Sequence, residues 1–280
     1  MLMEMISINY YSVSMRYFFL GALLMLVFNI QGQIDVLGSS YAEDTSSKPS
    51  IMLVPCPSKN YLSDADGKIL KQTDLKGKDL TETILDELYF HIHAQLLGAY
   101  DVYSIQDDQV LDHQKDLQAI LSGVGYKYET PTPIQKEKNK NLVRRFKSKL
   151  ESKLAIDKGE TVTEGQLTTE YISRSKKELC YNTVLHSREM LPYYNEKYGS
   201  DLFIFLNQLE IKTVYATQQD RFADNFYREI WVHFSIYDKE SKLYFGDVAK
   251  IKFNSRTSDL NTIVRNTFPK VGSYIEFSLP

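Results

Sequence analysis

Residues 228–253 read REIWVHFSIYDKESKLYFGDVAKIKF, the pattern of a β-hairpin. Apolar side chains alternate with other side chains through its first half, which is the two-residue period of a strand with one buried face. The apolar positions are Ile230, Val232, Phe234 and Ile236. Residues 238–242 provide turn-forming side chains, and residues 243–253 return as the partner strand. We therefore predict an antiparallel hairpin with one face in the core.

Helical and strand patterns precede and follow this hairpin. Short apolar runs predict further strands at 51–54, 101–105 and 202–215. Apolar side chains at helical spacing predict helices over 80–96, 110–121, 179–198 and 260–268, the third interrupted at Pro192 and the last halted by Pro269. The predicted fold is α/β (α+β): a mixed β-sheet in the order β-α-β-α-β-β-β-α, with helices packed on the sheet and a helical insertion.

The amino-terminal region carries the pattern of a secretory signal. Residues 17–30 read YFFLGALLMLVFNI, an uncharged apolar run directly after Arg16. Ser40 and Ala42 provide the two small side chains that signal peptidase requires. The sequence therefore predicts a cleaved signal peptide and a periplasmic or secreted protein.

This prediction divides the chain into a signal peptide at 1–42, a polar linker at 43–50 and a single α/β domain at 51–280. Three alternatives stay open at the amino terminus. Cleavage after Gly32 is one, and a buried core helix is another. The third is an uncleaved signal that anchors the protein in the inner membrane, although the run is shorter than the usual membrane span of about 20 residues.

Composition excludes several classes of protein. The 280 residues include 33 basic and 36 acidic side chains, for a formal net charge of −3, and 43% of the residues are hydrophobic. This balance is typical of a globular domain, and it argues against a disordered chain, a collagen or a dedicated binder of polyanions such as nucleic acid. In an oxidising compartment Cys56 and Cys180 either pair or remain separate buried thiols. No metal or cofactor site is predicted.

A basic insertion is predicted at about 131–176. Between residues 134 and 158 basic side chains outnumber acidic ones, and Leu142, Phe146, Leu150 and Leu154 recur every four residues. A basic amphipathic helix can lie on an anionic membrane surface or dock in the groove of a partner. The alternative is a helix packed on its own domain with a solvated basic face. The candidate contact residues are Arg144, Arg145, Lys147 and Lys149.

No catalytic motif for phosphate, dinucleotide, zinc or esterase chemistry is present in the sequence. Residues 173–176 match SxxK, but the companion motifs of penicillin-binding enzymes are missing, so we interpret the match as chance. An active site of scattered residues would leave no such motif, which keeps an exported hydrolase as the alternative function.

Trp231 and Tyr237 lie on the side of the predicted hairpin opposite the core face. His233 shares that side and is expected to be exposed. Tryptophan and tyrosine are enriched at the centres of protein interfaces, so Trp231 and Tyr237 are candidate partner contacts. The alternative is that they pack beneath the insertion.

The order of these elements resembles a small α/β domain of the bacterial envelope. The residues that carry the resemblance are IMLVP (51–55), YDVYSI (100–105), KYGSDLFIFLNQLEI (197–211) and the hairpin. They are similar to the domain shared by the TolB amino-terminal domain, the curli secretion channel lipoprotein and lipoprotein activators of penicillin-binding proteins. The resemblance covers about 50–105 and 178–270, and it implies a non-enzymatic envelope protein that acts through protein partners in assembly, secretion or transport.

Overall fold

A computed structural model describes residues 48–106, 111–132, 169–172, 178–253 and 257–280. The strands are β1 (Ser50–Val54), β2 (Tyr61–Ser63), β3 (Asp101–Ser104), β4 (Val124–Glu129), β5 (Thr169–Tyr171), β6 (Cys180–Leu185), β7 (Leu202–Val214), β8 (Tyr227–Asp238) and β9 (Leu243–Phe253). The α-helices are α1 (Asp66–Ile69), α2 (Gly77–Leu96), α3 (Leu111–Ser122), α4 (Met190–Tyr198), α5 (Gln218–Phe222) and α6 (Leu260–Phe277).

The main sheet has the strand order β3-β1-β7-β8-β9-β5, and β2 lies beside the second half of β7. β3, β1 and β7 are parallel, whereas β8, β9 and β5 are antiparallel to their neighbours. A parallel pair needs a crossover connection, and α2 provides it between β1 and β3. The predicted mixed α/β fold is confirmed, and the predicted hairpin forms β8 and β9.

One face of the main sheet is covered by α2 and α6. The sheet contributes buried aliphatic side chains such as Leu53, Ile204 and Val232, which pack against buried residues of both helices. Burying each such side chain contributes about 1.5 to 3 kcal/mol, so this layer holds most of the hydrophobic stabilisation. The apolar positions predicted for the hairpin all lie in this core.

The opposite face is divided into two regions. Near the start of β7, Phe203 and Phe205 pack against Ile120 of α3 and Leu191 of α4, which forms a second hydrophobic core. Farther along β7 the side chains become polar, and a separate two-stranded ribbon of β4 and β6 lies against the sheet there. This ribbon occupies the face that the sequence predicted to be open to solvent.

Two predicted elements differ from the structure. The helix predicted over 179–198 begins only at Met190, because residues 180–185 form β6. The last helix does not end at Pro269 but continues to Phe277. Ile275 keeps its second half buried, and Gly272 allows close packing on α2, where an added Cβ would lie 3.0 Å from the Cβ of Gln95.

The insertion predicted at about 131–176 falls mostly outside the described residues. Its described part includes β5, which extends the main sheet by pairing with β9. The insertion bounds therefore enclose a strand that the sequence did not predict. The signal peptide predicted at 1–42 also lies outside the described residues.

Candidate binding surface

The ribbon of β4 and β6 is an antiparallel pair with a defined register. Tyr128 lies opposite Tyr181, and Tyr126 lies opposite Thr183. The backbone N–H of His186 donates to the carbonyl of Gly123. Because hydrogen-bonded and non-hydrogen-bonded pairs alternate in an antiparallel ladder, this bond identifies which pairs of the ribbon are hydrogen-bonded. In β6, residues 180, 182 and 184 therefore bond to β4. Residues 181 and 183 direct their N–H and C=O groups away from it.

Side chains of the main sheet satisfy these four backbone groups. The N–H of Tyr181 donates to Nδ1 of His233 at 3.0 Å, and the N–H of Thr183 donates to Oγ of Ser235 at 3.1 Å. The carbonyl of Tyr181 accepts from Nδ2 of Asn207 at 2.7 Å, and that of Thr183 accepts from the Tyr237 hydroxyl at 2.6 Å. The ribbon is thus fixed to the sheet without a strand partner on that edge.

Asn207 lies at the centre of this network because of a β-bulge. The pairing of β7 with β8 shifts between Leu206 and Gln208, so Asn207 has no opposite residue in β8. Its Oδ1 accepts from the hydroxyl of Thr183 at 2.6 Å, and its Nδ2 donates to Ser235 at 2.8 Å. Every polar atom of this buried amide side chain is therefore used in positioning the ribbon.

Tyr237 is not a surface residue, which corrects the sequence expectation. Its side chain is 6% exposed and packs edge-on against Phe205 with ring centroids 5.8 Å apart. Burial raises the pKa of Tyr237 to about 12. The residue instead donates its hydroxyl proton to the ribbon, and no described surface presents it to a partner.

Trp231 is half-buried and carries a lysine on each side. Nζ of Lys212 from β7 lies 3.5 Å from its ring centroid, and Nζ of Lys250 from β9 lies 3.6 Å from it. The indole N–H donates to Oε2 of Glu229 at 2.8 Å. These cation–π contacts and the hydrogen bond fix the ring within its own sheet, so a partner would reach only its remaining exposed edge.

His233 is 1% exposed, contrary to the expectation of an exposed histidine. Because Nδ1 accepts the N–H of Tyr181, the proton lies on Nε2, which donates to Oε1 of Glu210 at 3.1 Å. Burial acts to raise the pKa of Glu210, but hydrogen bonds from His233 and Lys212 bring it below its ordinary value. Both ring nitrogens are engaged, so this pair is a structural contact and has no free base for catalysis.

A second polar cluster joins α3 and α4 to β3. Nε2 of His113 lies 2.5 Å from the Tyr103 hydroxyl, and Asp116 accepts hydrogen bonds from Tyr198 and from Lys197, the latter at 2.6 Å. Burial acts to raise the pKa of Asp116, but these two hydrogen bonds bring it below its ordinary value. The cluster connects three elements across their outer surface.

The two cysteines are separate buried thiols in this structure. Burial raises the pKa of Cys56 to about 12, so its thiol stays protonated and weakly nucleophilic at neutral pH. Across the described ranges, no three His, Cys, Asp or Glu side chains lie close enough to hold a metal ion.

The ribbon presents a surface that was not predicted from the sequence. We call it the tyrosine face, and it consists of Tyr126, Tyr128 and Tyr181. The ring centroids of Tyr126 and Tyr181 are 5.2 Å apart, and those of Tyr128 and Tyr181 are 4.7 Å apart. Tyr128 is 48% exposed, and its hydroxyl donates to Oε1 of Gln208 at 3.1 Å. The alternating tyrosines of the sequence YKY at 126–128 are the signal that would have indicated it.

The remaining predicted contact residues, Arg144, Arg145, Lys147 and Lys149, lie outside the described residues. Within the described part of the chain, no helix has the length and apolar composition needed to cross a bilayer. No protein-family model matches the chain, and no curated protein is significantly similar to it.

Proposed function

We propose that this chain is a non-enzymatic protein of the cell envelope that acts through protein contacts in assembly, secretion or transport. The observation that supports this most directly is the tyrosine face. Its three rings pack against one another on a ribbon whose inner edge is hydrogen-bonded to side chains of the main sheet. Such a surface is ordered before binding, so a partner does not have to overcome the entropy of ordering it.

Tyrosine is well suited to this role. Each ring offers a large apolar area with only two rotatable bonds, and the hydroxyl adds a hydrogen bond at the rim. In the tyrosine face the rings already pack against one another, with Tyr128 the most exposed of the three. We therefore assign Tyr128 as the centre of the contact and Tyr126 and Tyr181 as its support.

The compartment in this proposal comes from the sequence. The apolar run at 17–30 and the small residues that follow it support export to the periplasm or the exterior, or inner-membrane anchoring if the signal is uncleaved. The basic side chains of Arg144, Arg145, Lys147 and Lys149 are proposed as a second contact, toward an anionic membrane surface or an acidic partner groove.

Photo-cross-linking tests the tyrosine face. A photoreactive phenylalanine analogue replaces Tyr128 in the full chain, and the matched control carries it at Tyr193, which is 54% exposed on α4. We expect position 128 to form an adduct with a different envelope protein and position 193 to give only background.

The protein captured in this way must then bind the purified chain directly. Tyr128→Ala should weaken that binding at least about tenfold, as is typical of an aromatic residue central to an interface, whereas Tyr193→Ala should not. Equal labelling from both positions, or equal affinity of both alanine variants, would lead us to abandon the tyrosine face as the contact.

A further inference from the structure

The outer edge of β4 is open within the described part of the chain. The register that directs residues 181 and 183 of β6 toward the main sheet also directs the N–H and C=O groups of Tyr126 and Tyr128 away from β6. Among the described residues, no backbone or side-chain group bonds to these four backbone groups. They form a short template that another extended strand can pair with.

Among the described residues, β6 is the strand that pairs with β4, and the other edge of β4 has no strand partner. The main sheet lies along the β6 edge of the ribbon, so a strand added to β4 approaches from the side opposite to the main sheet. At the start of β4, Val124 packs with Ile120 of α3 in the second hydrophobic core, so α3 adjoins this end of the strand. The open portion therefore begins at Tyr126.

The charges on this portion select a register. Lys127 and Glu129 precede and follow Tyr128 and lie on the opposite face of the ribbon from the tyrosines. Nζ of Lys127 lies 3.2 Å from Oε1 of Glu129. Antiparallel pairing of two β4 strands centred on Lys127 or on Glu129 would place like charges directly opposite, which is destabilising. Pairing centred on Tyr128 places Lys127 of each copy opposite Glu129 of the other.

We propose that two copies of this chain pair through antiparallel β4 strands centred on Tyr128. The two Tyr128 residues exchange their N–H and C=O hydrogen bonds, and two Lys127 to Glu129 ion pairs form across the junction. The ribbons then join into one four-stranded sheet in the order β6-β4-β4-β6. Side chains directly opposite in a sheet share a face, so the two tyrosine faces become one continuous surface. This pairing does not depend on the proposed envelope function.

Charge exchange is the first test, with dissociation measured by analytical ultracentrifugation of the purified chain from micromolar to millimolar concentration. Lys127→Glu and Glu129→Lys each create two like-charge contacts, and each should raise the dimer dissociation constant about tenfold or more. The double variant Lys127→Glu/Glu129→Lys exchanges the charges and should restore association to within about threefold of the parent. The intrachain pair is on the surface, so the melting temperature should change little in all three.

Cross-linking tests the register independently. Residues opposite each other in a hydrogen-bonded antiparallel pair have Cα atoms about 5.5 Å apart, which a disulfide can span. Tyr128→Cys should therefore give a disulfide-linked homodimer on oxidation, and Val184→Cys, exposed on β6 of the same ribbon, should form no disulfide-linked dimer. The native thiols do not interfere because Cys56 and Cys180 are buried.

The proposal is overturned by a parent chain that is monomeric throughout the concentration range. It is also overturned by a dimer that the single charge variants leave unchanged, or that the double variant fails to restore. A Tyr128→Cys chain that cross-links no faster than Val184→Cys excludes the register. Binding of a different protein at the tyrosine face leaves these readouts untouched, so the two proposals fail separately.

Discussion

Nδ1 of His233 accepts a hydrogen bond from the backbone N–H of Tyr181 at 3.0 Å. A buried side chain of β8 thus provides the acceptor that a neighbouring strand would otherwise offer to β6. Ser235, two residues along β8 on the same face, does the same for the N–H of Thr183. The need to bond the backbone N–H groups of β6 therefore explains why polar residues occupy the buried positions 233 and 235. A buried N–H without an acceptor would be costly, which makes both contacts testable.

Each of these two contacts should protect one amide. His233→Ala should lower the free energy of unfolding by about 2 to 3 kcal/mol and Ser235→Ala by about 1 to 2 kcal/mol, because each leaves a backbone N–H without its acceptor and His233→Ala also removes a hydrogen bond to Glu210. In hydrogen-exchange measurements, His233→Ala should deprotect the amide of Tyr181 first, and Ser235→Ala that of Thr183. The two variants serve as controls for each other. Loss of protection at both amides in both variants would contradict separate contacts.

This network also explains which parts of the fold could be predicted from sequence. β7, β8 and β9 carry long apolar patterns, and these predicted strands are confirmed. β6 was predicted as part of a helix because its buried residues Asn182 and Thr183 are polar. Their partners, Asn207 and Ser235, are distant in the sequence, and single-sequence periodicity contains no information about them.

The binding surface could not be predicted from the sequence for a related reason. Alternation in β8 correctly separated two faces, but it did not show that a ribbon covers the second face at Tyr237 and His233. Burial of a strand on both faces depends on tertiary contacts, and polar residues can occupy the second face when each has a hydrogen-bond partner. The tyrosine face was missed because β4 itself was not predicted.

Gly246 on β9 should be intolerant of a side chain. A Cβ at this position would overlap Oδ1 of Asn182, so Gly246→Ala must displace an amide that accepts from Ser235. We expect Gly246→Ala to lower the free energy of unfolding by about 1 to 3 kcal/mol. Gly67→Ala in α1 is the matched control, because an added Cβ there meets nothing within 4 Å. Chemical denaturation measures both, and equal stability of the two variants would show that Asn182 can move freely.

Asp116 should contribute to stability in a pH-dependent way. Its pKa in the folded protein is below the ordinary value, so its contribution is complete above the unfolded pKa of about 4 and is lost as pH falls through the folded pKa. Asp116→Asn should therefore show a weaker loss of stability than the parent between about pH 5 and pH 2. Asp112→Asn, whose exposed carboxylate pairs with Lys115, is the control and should follow the parent curve. Parallel curves for Asp116→Asn and the parent would contradict the assignment.

The export prediction is tested by the amino terminus of the cellular product. Fractionation followed by intact-mass analysis should find a periplasmic or secreted species that begins at Glu43, or near Gln33 if cleavage follows Gly32. Replacing Leu23 and Leu24 of the apolar run with Arg should abolish processing and leave the full-length chain in the cytoplasm. A full-length chain of the parent in the inner membrane would identify the run at 17–30 as an anchor and remove the oxidising-compartment argument for Cys56 and Cys180.

If the basic segment binds a membrane or a partner, its positive charge should account for the affinity. Reversal of Arg144, Arg145, Lys147 and Lys149 to Glu should release the protein from vesicles with anionic lipid, or from its acidic partner, without lowering the melting temperature. Each basic residue near an anionic surface contributes about 1 kcal/mol, so affinity should fall by about a thousandfold. The control reverses the same number of charges at exposed lysines elsewhere: Lys71, Lys76, Lys78 and Lys115. Retained binding by the first variant would mean that these four residues do not form the contact. Equal losses in both variants would mean that net charge explains the whole effect.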